Sequence, residues 1–512
     1  MSATPAPGAD CPRILFTTSN GTGLGHLTRS MAIARRLGDG VEPLFLTLSA
    51  AAPVVERMGF AVEYAPSYAT PASGNDYRWS RRLRARLRAV IAEVDPAAVV
   101  FDGTHPYEAL LGALPADATA VWCRRPLWKR GSSRVPLGRA GAFDAVLEPG
   151  ELAESEDAGP TVPLRDRAHR VGPIVLVDRS ERLDRERAAA ELGLDPARPT
   201  ILVTLGLGPE VREATRRALA HLSAAGTVQV AALSSALADA DEVPEGVVAL
   251  RATYPMSRYF AAIDGAVAAA GYNAYHELIE LGVPSLFVPM PRDTDDQPAR
   301  ARWVEGAGLG LGVSGPTDPA LDARLERLLD PGVREALAAE LAELPPATGA
   351  ADAADWLREL ALAPTAPSVS GAAPPARRGW RDFRRRWGTF LASAPRTAWR
   401  LGRQQLTEPR MRTLVVALEI DPDEVTGAVE AAIAEAGEEP RRVVVVTDAL
   451  AALDGLRALG VGVEHLPGRG SRQAELAGGD YERFRSRRLE LIRAERPEPR
   501  RIVVAPGGVS VP

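Results

Sequence analysis

The chain has 512 residues, 46% of them hydrophobic and 25% charged, with 46 Gly, 43 Pro and a formal net charge of −5. At roughly 100–200 residues per domain this length predicts about three domains, and the apolar content excludes a disordered or collagen-like chain. The acidic balance argues against a general nucleic-acid binder, which carries a basic excess. Two cysteines, Cys11 and Cys123, are too few for a disulfide framework and fit a reducing, cytoplasmic setting. The opening MSATPAPGAD lacks the basic and apolar regions of a signal peptide, and no run of 18 apolar residues predicts a membrane-spanning helix. Lys129 is the sole lysine, so a single arginine carries little weight here and clusters carry more.

In chain order, RILFTT (13–18) reads as a buried strand, followed by a glycine loop and a helix over Leu27–Leu37. PLFLTLS (43–49), AAVVFD (97–102) and ATAVWC (118–123) are further strands. VGPIVL (171–176) crosses into a second module, where ILVTLG (201–206), TVQVAAL (227–233), VVAL (247–250), GAVAAA (265–270) and PSLFVP (284–289) repeat the rhythm. Strands alternating with helical patterns predict βαβ units, and hence two α/β doubly wound modules over 11–165 and 166–361. LAPTAPSVSGAAPPA (362–376) reads as a linker, and the 362–409 stretch ends in a basic aromatic segment. RTLVVALEI (412–420), RRVVVVTDA (441–449) and RRIVVA (500–505) predict a smaller α/β module over 410–512. Its role is not readable from its residues.

Two constellations carry chemistry. SNGTGLGH (19–26) joins the first strand to the first helix. Its glycines at 21, 23 and 25 allow a tight turn and close ligand approach, and the helix start offers unpaired N–H groups. The spacing misses G-x-G-x-x-G by one residue, no acidic residue ends the second strand, and no Gly-Lys-Ser/Thr exists, which demotes dinucleotide and P-loop readings. His26 closes this loop at the carboxyl edge of a parallel sheet and is suited to general-base work; a helix-packing histidine is the equal alternative. Asp102 ends a neighbouring strand.

The second constellation runs from Asp264 to Glu305. A strand ends at Ala270, Gly271 turns the chain, and a helix starts near Asn273, where backbone N–H groups suit a diphosphate. Glu277 lies a turn further in, where a carboxylate can accept two hydrogen bonds from a vicinal diol. Asp293, Asp295, Asp296 and Gln297 follow the next strand as polar groups suited to sugar hydroxyls. The alternatives are electrostatic support of the helix by Glu277 and a merely solvated acidic loop.

The two-module layout, the loop ending in His26 and AAGYNAYHELIELGVPSLFVP…DDQPARA resemble family 28 glycosyltransferases of the GT-B fold. The resemblance covers roughly residues 13–345. It implies a UDP-sugar donor held by the second module, with Glu277 on ribose, Gly271, Tyr272 and Asn273 beside the diphosphate together with the Gly206–Gly208 loop, and Met256 near the base. Asp296 and Gln297 would contact the donor sugar, and Gly23, Gly25 and His26 would line the cleft beside the acceptor. The implied reaction is inverting transfer of N-acetylglucosamine or a related hexose to a lipid-linked or envelope acceptor. It needs no metal, and His26 or Asp102 serves as base. The chain departs from the family pattern in the extra Leu24 of the glycine loop and in Asp296, where the pattern has glutamine. A GT-B epimerase and a retired nucleotide-sugar-binding scaffold are the alternatives.

Two arginine clusters remain. DYRWSRRLRARLRAV (76–90) sets six arginines around Trp79, Leu83, Leu87 and Val90 at helical spacing, which reads first as a half-buried helix. Residues 377–403 carry nine arginines and an aromatic stripe of Trp380, Phe383, Trp387 and Phe390. That pattern suits the headgroups of an anionic membrane, such as the inner face of a plasma membrane, as well as it suits a core-facing stripe.

Overall fold

The computed structural model describes residues 11–19, 24–68, 70, 76–206, 209–233, 245–250, 253–363, 412–494 and 501–509. Three parallel sheets organise them. In the first, β1 (Arg13–Thr18), β2 (Glu42–Thr47), β3 (Ala61–Tyr64), β4 (Ala98–Asp102), β5 (Thr119–Cys123), β6 (Ala145–Glu148) and β7 (His169–Arg170) lie in the order β3-β2-β1-β4-β5-β6-β7. β1 pairs in parallel with β2 and β4, with Thr18 opposite both Thr47 and Asp102. The second contains β8 (Thr200–Thr204), β9 (Gln229–Leu233), β10 (Val247–Leu250), β11 (Gly265–Ala269), β12 (Ser285–Val288) and β13 (Leu311–Gly312), ordered β10-β9-β8-β11-β12-β13. Val, Ile, Leu and Ala fill both faces of these strands because helices cover both sides of a parallel sheet.

Strand order reverses between β1 and β4 in the first sheet and between β8 and β11 in the second. Chains leaving these neighbours turn to opposite faces and leave a crevice at their carboxyl ends, where open α/β sheets bind ligands. The loop ending in His26 follows β1, and Asp102 ends β4. Gly206 follows β8, and Gly271 follows β11. The helix Gly349–Leu362 returns from the second module to pack Ala350, Ala353, Ala354 and Leu357 into one core with Leu27, Met31 and Ile33 of the first helix, Gly25–Ala34.

The arginine-rich helix spans Asp76–Val94 and buries Trp79, Leu83, Leu87 and Val90 against Leu15, Val99 and Phe101. Its apolar stripe is therefore core. The predicted linker is helical at its first residue, Leu362; the basic aromatic segment 377–403 lies outside the described residues. Among the described residues no helix is long and apolar enough to cross a membrane.

The third sheet contains β14 (Thr413–Ala417), β15 (Val443–Thr447), β16 (Gly462–His465) and β17 (Arg501–Val504) in the order β16-β15-β14-β17. Its edge strand β16 comes against β3, the edge of the first sheet. The Tyr64 N–H donates to His465 Nδ1 at 3.3 Å. Arg86 donates to Glu63 at 2.8 Å and Glu464 at 3.0 Å, while Arg488 donates to Glu63 at 3.0 Å and Glu93 at 2.6 Å. Arg472 forks onto Glu42 at 2.6 and 3.1 Å. Glu42, Glu63, Arg86, Glu464 and Arg488 are buried while Arg472 and Glu93 are partly exposed, so the seam between the modules is ionic where it meets β3.

Candidate active site

The first helix begins at Gly25, directly after the glycine loop, so His26 enters at its second position. His26 Nδ1 lies 2.6 Å from Asp102 Oδ1. Arg29, one turn along the same helix, forks onto that carboxylate, with Nε 3.0 Å from Oδ2 and Nη2 2.6 Å from Oδ1. Burial pushes the Asp102 carboxyl up, but Arg29 and His26 outweigh it and hold the group down at about 2. An ionised carboxylate can only accept hydrogen bonds, so Nδ1 of His26 carries the proton and Nε2 keeps its lone pair. Burial also disfavours the imidazolium, against the pull of Asp102, so the His26 pKa lies below its ordinary value. Asp102 itself is 1% exposed with both oxygens engaged, which makes it the partner of His26 rather than a base within reach of a substrate.

Across the cleft, Gly271 caps the helix Tyr272–Glu280 in extended backbone (φ −74°, ψ 148°), so no left-handed turn demands glycine there. Gly206 does adopt one, at φ +92°, and is exposed. The Asn273 Nδ2 donates to the Gly25 carbonyl at 3.2 Å, joining the two crevices, and its buried Oδ1 has no hydrogen-bond partner among the described residues. Glu277 is half-buried, its Oε1 lacks a hydrogen-bond partner among the described residues, and burial pushes its carboxyl up to about 7 against the opposing pull of the Leu176 backbone and Ser257. Such an orphaned carboxylate oxygen is costly unless a donor arrives. Met256 opens the short helix Met256–Ala262 and is half-buried. Gly23 and Gly208 lie outside the described residues.

Three sequence expectations need correction. Tyr272 is 3% exposed; its hydroxyl donates to the Gly150 carbonyl at 2.9 Å and accepts from the Ile174 N–H at 3.0 Å. The ring thus holds the segment linking the modules and is not offered to a diphosphate. Gln297 is 3% exposed, its Oε1 accepting from the Met290 N–H at 2.8 Å and its Nε2 donating to Asp295 at 3.1 Å. Both ends of its amide serve the loop rather than a sugar. The acidic loop is not simply open to sugar hydroxyls either. Asp295 bonds Arg125 and Arg300 at 2.9 Å each, and these cations hold its carboxyl well below the usual range despite burial. Asp296 caps the helix Gln297–Gly306 by accepting from the Ala299 N–H at 3.3 Å, and its own N–H donates to the Leu127 carbonyl at 3.1 Å. Sequence reasoning missed Arg29, Arg125 and Arg300, whose only signal was an arginine in a chain full of them. Among the described residues no group of three or more His, Cys, Asp or Glu side chains is arranged to hold a metal ion.

No protein-family model matches the chain. It is 33% identical over 313 residues to the UDP-N-acetylglucosamine–N-acetylmuramyl-(pentapeptide) pyrophosphoryl-undecaprenol N-acetylglucosamine transferase of Nocardioides sp., covering 55% of this chain and 81% of that one. The enzyme of the same name from Clavibacter michiganensis subsp. michiganensis is 29% identical over 323 residues, covering 61% and 81%. Among solved structures, the glycotransferase of kitacinnamycin superposes with a TM-score of 0.49 at 19% identity, covering 68% of this chain and 99% of that one. Two doubly wound modules with crevices facing each other are the GT-B architecture, and by its likeness to the Nocardioides enzyme the chain belongs to the family of pyrophosphoryl-undecaprenol N-acetylglucosamine transferases and is a glycosyltransferase.

Proposed function

We propose that the protein transfers N-acetylglucosamine or a related hexose from a UDP-sugar to a hydroxyl of a lipid-linked envelope acceptor, with inversion and without a metal. The names of its relatives supply the donor and acceptor classes. The observation that carries the mechanism is the His26–Asp102 pair at the first crevice, with Glu277 in the second, whose Oε1 has no hydrogen-bond partner among the described residues. Glu277 takes the ribose diol and Met256 lies beside the base. Gly206, Gly208 and Gly271, with the first N–H groups of the helix Tyr272–Glu280, receive the diphosphate. Gly23 and Gly25 leave room beside the acceptor.

In the transfer step the acceptor oxygen forms a bond to the anomeric carbon while the bond from that carbon to the diphosphate oxygen breaks. The acceptor proton moves to Nε2 of His26, and UDP leaves with the bonding electron pair. Negative charge developing on the diphosphate meets the positive end of the helix. Asp102 holds the imidazole in the required tautomer and stabilises the imidazolium that forms, without itself taking the proton. An acceptor on a lipid places the reaction at a membrane surface, for which the basic aromatic segment 377–403 is the candidate contact.

Equilibrium binding of UDP, GDP, dTDP and NAD, with Glu277→Ala alongside, tests the donor site. Preferential UDP binding that is lost in the variant supports it. Equal binding by the variant, or none by the wild type, overturns it. Turnover that persists in the presence of a chelator is expected, and loss of turnover on chelation would remove the metal-free step.

A further inference from the structure

We infer that Arg29 is a positioning residue of this transfer: its forked guanidinium neutralises Asp102 and fixes the proton of His26 on Nδ1, leaving Nε2 free to accept. The inference rests on His26 being the base. The fork spans both carboxylate oxygens, and the guanidinium carbon lies over the Tyr272 ring of the second module, 5.2 Å from its centroid. Nη2 also lies 3.0 Å from His26 Nδ1. Two donors thus converge on Oδ1, and a second positive charge arriving on the imidazole meets the guanidinium at close range.

A buried carboxylate paired with histidine alone would favour the imidazolium, and a base already protonated accepts nothing. The groups facing His26 remove that bias. Asp102 on β4 supplies one negative charge. Arg29 on the same helix and Arg125 after β5 supply two positive ones, both of which disfavour the imidazolium. Cys123, also after this crevice on β5, has its thiol pushed well above its ordinary value by burial, and burial likewise raises the Tyr272 phenol, so neither adds charge. Arg29 is 2% exposed, so solvent does not screen it.

The test is nitrogen NMR of the full chain labelled in its six histidines, with His26→Gln to assign the resonance. The wild type should show the Nδ1–H tautomer and titrate below the ordinary value of about 6.5. Arg29→Met should raise that transition by about one to three pH units, the effect of an opposite charge no longer compensated. Arg29→Lys, which keeps the charge and loses the fork, should stay near the wild type. The acid limb of the kcat/KM profile should move with the NMR transition, whereas an arginine needed only for folding would lower activity without moving the limb. An Nε2–H tautomer in the wild type, or an Arg29→Met transition at the wild-type position, overturns the inference; if Arg29→Met does not fold, the wild-type tautomer decides. Should the NMR transition move while the acid limb stays, or should His26→Gln turn over normally, the base assignment falls and the proton placement by Arg29 stands.

Discussion

Two histidines of this protein sit beside buried arginine–carboxylate clusters, and they do opposite things. His26 donates a hydrogen bond from Nδ1–H to Asp102 and keeps a side chain 18% exposed. His465 is 3% exposed and uses Nδ1 as an acceptor, completing the edge of β3 by taking the Tyr64 N–H. Burial and the positive charge of Arg86 push the His465 pKa down to about 3, so it stays neutral at every ordinary pH. The difference lies in which partner is nearest. A carboxylate at 2.6 Å makes the imidazole a donor and leaves the far nitrogen basic, whereas a backbone N–H makes it a fixed acceptor. Burial alone therefore does not mark a functional histidine.

The largest effect that can break this contrast comes from His26→Ala. It should lower transfer by about 100-fold to 10,000-fold, the ordinary contribution of a positioned base, while UDP affinity holds. A variant with wild-type turnover would leave His26 no more functional than His465. Next, Arg86→Met removes one of the two arginines on Glu63 and the arginine on Glu464 at the seam between the first and third modules, and should cost about 3–5 kcal/mol, as breaking a buried pair does. Denaturant unfolding measures it, and an unchanged midpoint would mean that the seam does not contribute to stability. His465 adds a pH dependence of known sign. Its folded pKa is depressed from 6.5 to about 3, so its contribution is present above 6.5 and is lost as pH falls toward 3. His465→Gln should flatten the stability profile in that window, and a profile identical to the wild type would refute the assignment.

Glu277→Gln should weaken UDP by about 10-fold to 100-fold, the worth of a hydrogen bond to a charged group. Its carboxyl is raised from 4.5 to about 7, so the unliganded protein loses stability as pH rises through that window. The glutamine variant should lose less, and thermal unfolding across pH 4.5–7 distinguishes the two. Smallest is Tyr272→Phe. Removing the hydroxyl that joins Gly150 and Ile174 should cost about 1–2 kcal/mol with UDP affinity intact. A large loss of UDP affinity would return Tyr272 to the donor site.

Much of the fold was readable because a buried parallel strand is a run of Val, Ile, Leu and Ala. β1, β4, β8, β11, β12, β14 and β15 all read so, and the glycine turns after β1 and β11 fell at the two points where strand order reverses. Of the strands that were missed, the two at the seam carry charges inside them. β3 reads AVEY and β16 reads GVEH, and the arginines that bury their glutamates across the seam, Arg488 for Glu63 and Arg86 for Glu464, lie hundreds of residues away. The site divided in the same way. Glu277 and His26 stand on local motifs, and the family resemblance pointed to them. The inward turn of Tyr272 and Gln297 depends on Gly150, Ile174, Met290 and Asp295, partners that the spacing within a single helix does not specify.

The seam between β3 and β16 also sets a schedule. Glu63 and Arg488 are 425 residues apart, and Glu42 and Arg472 are 430 apart. At about 5–20 residues per second of synthesis, Glu63 leaves the ribosome roughly 20–85 s before Arg488 exists. Throughout that interval the first sheet carries an unsealed strand edge, with Glu63 and Glu42 held only by Arg86 and Arg13 of their own module. Those charges guard the bare edge against pairing with another nascent chain.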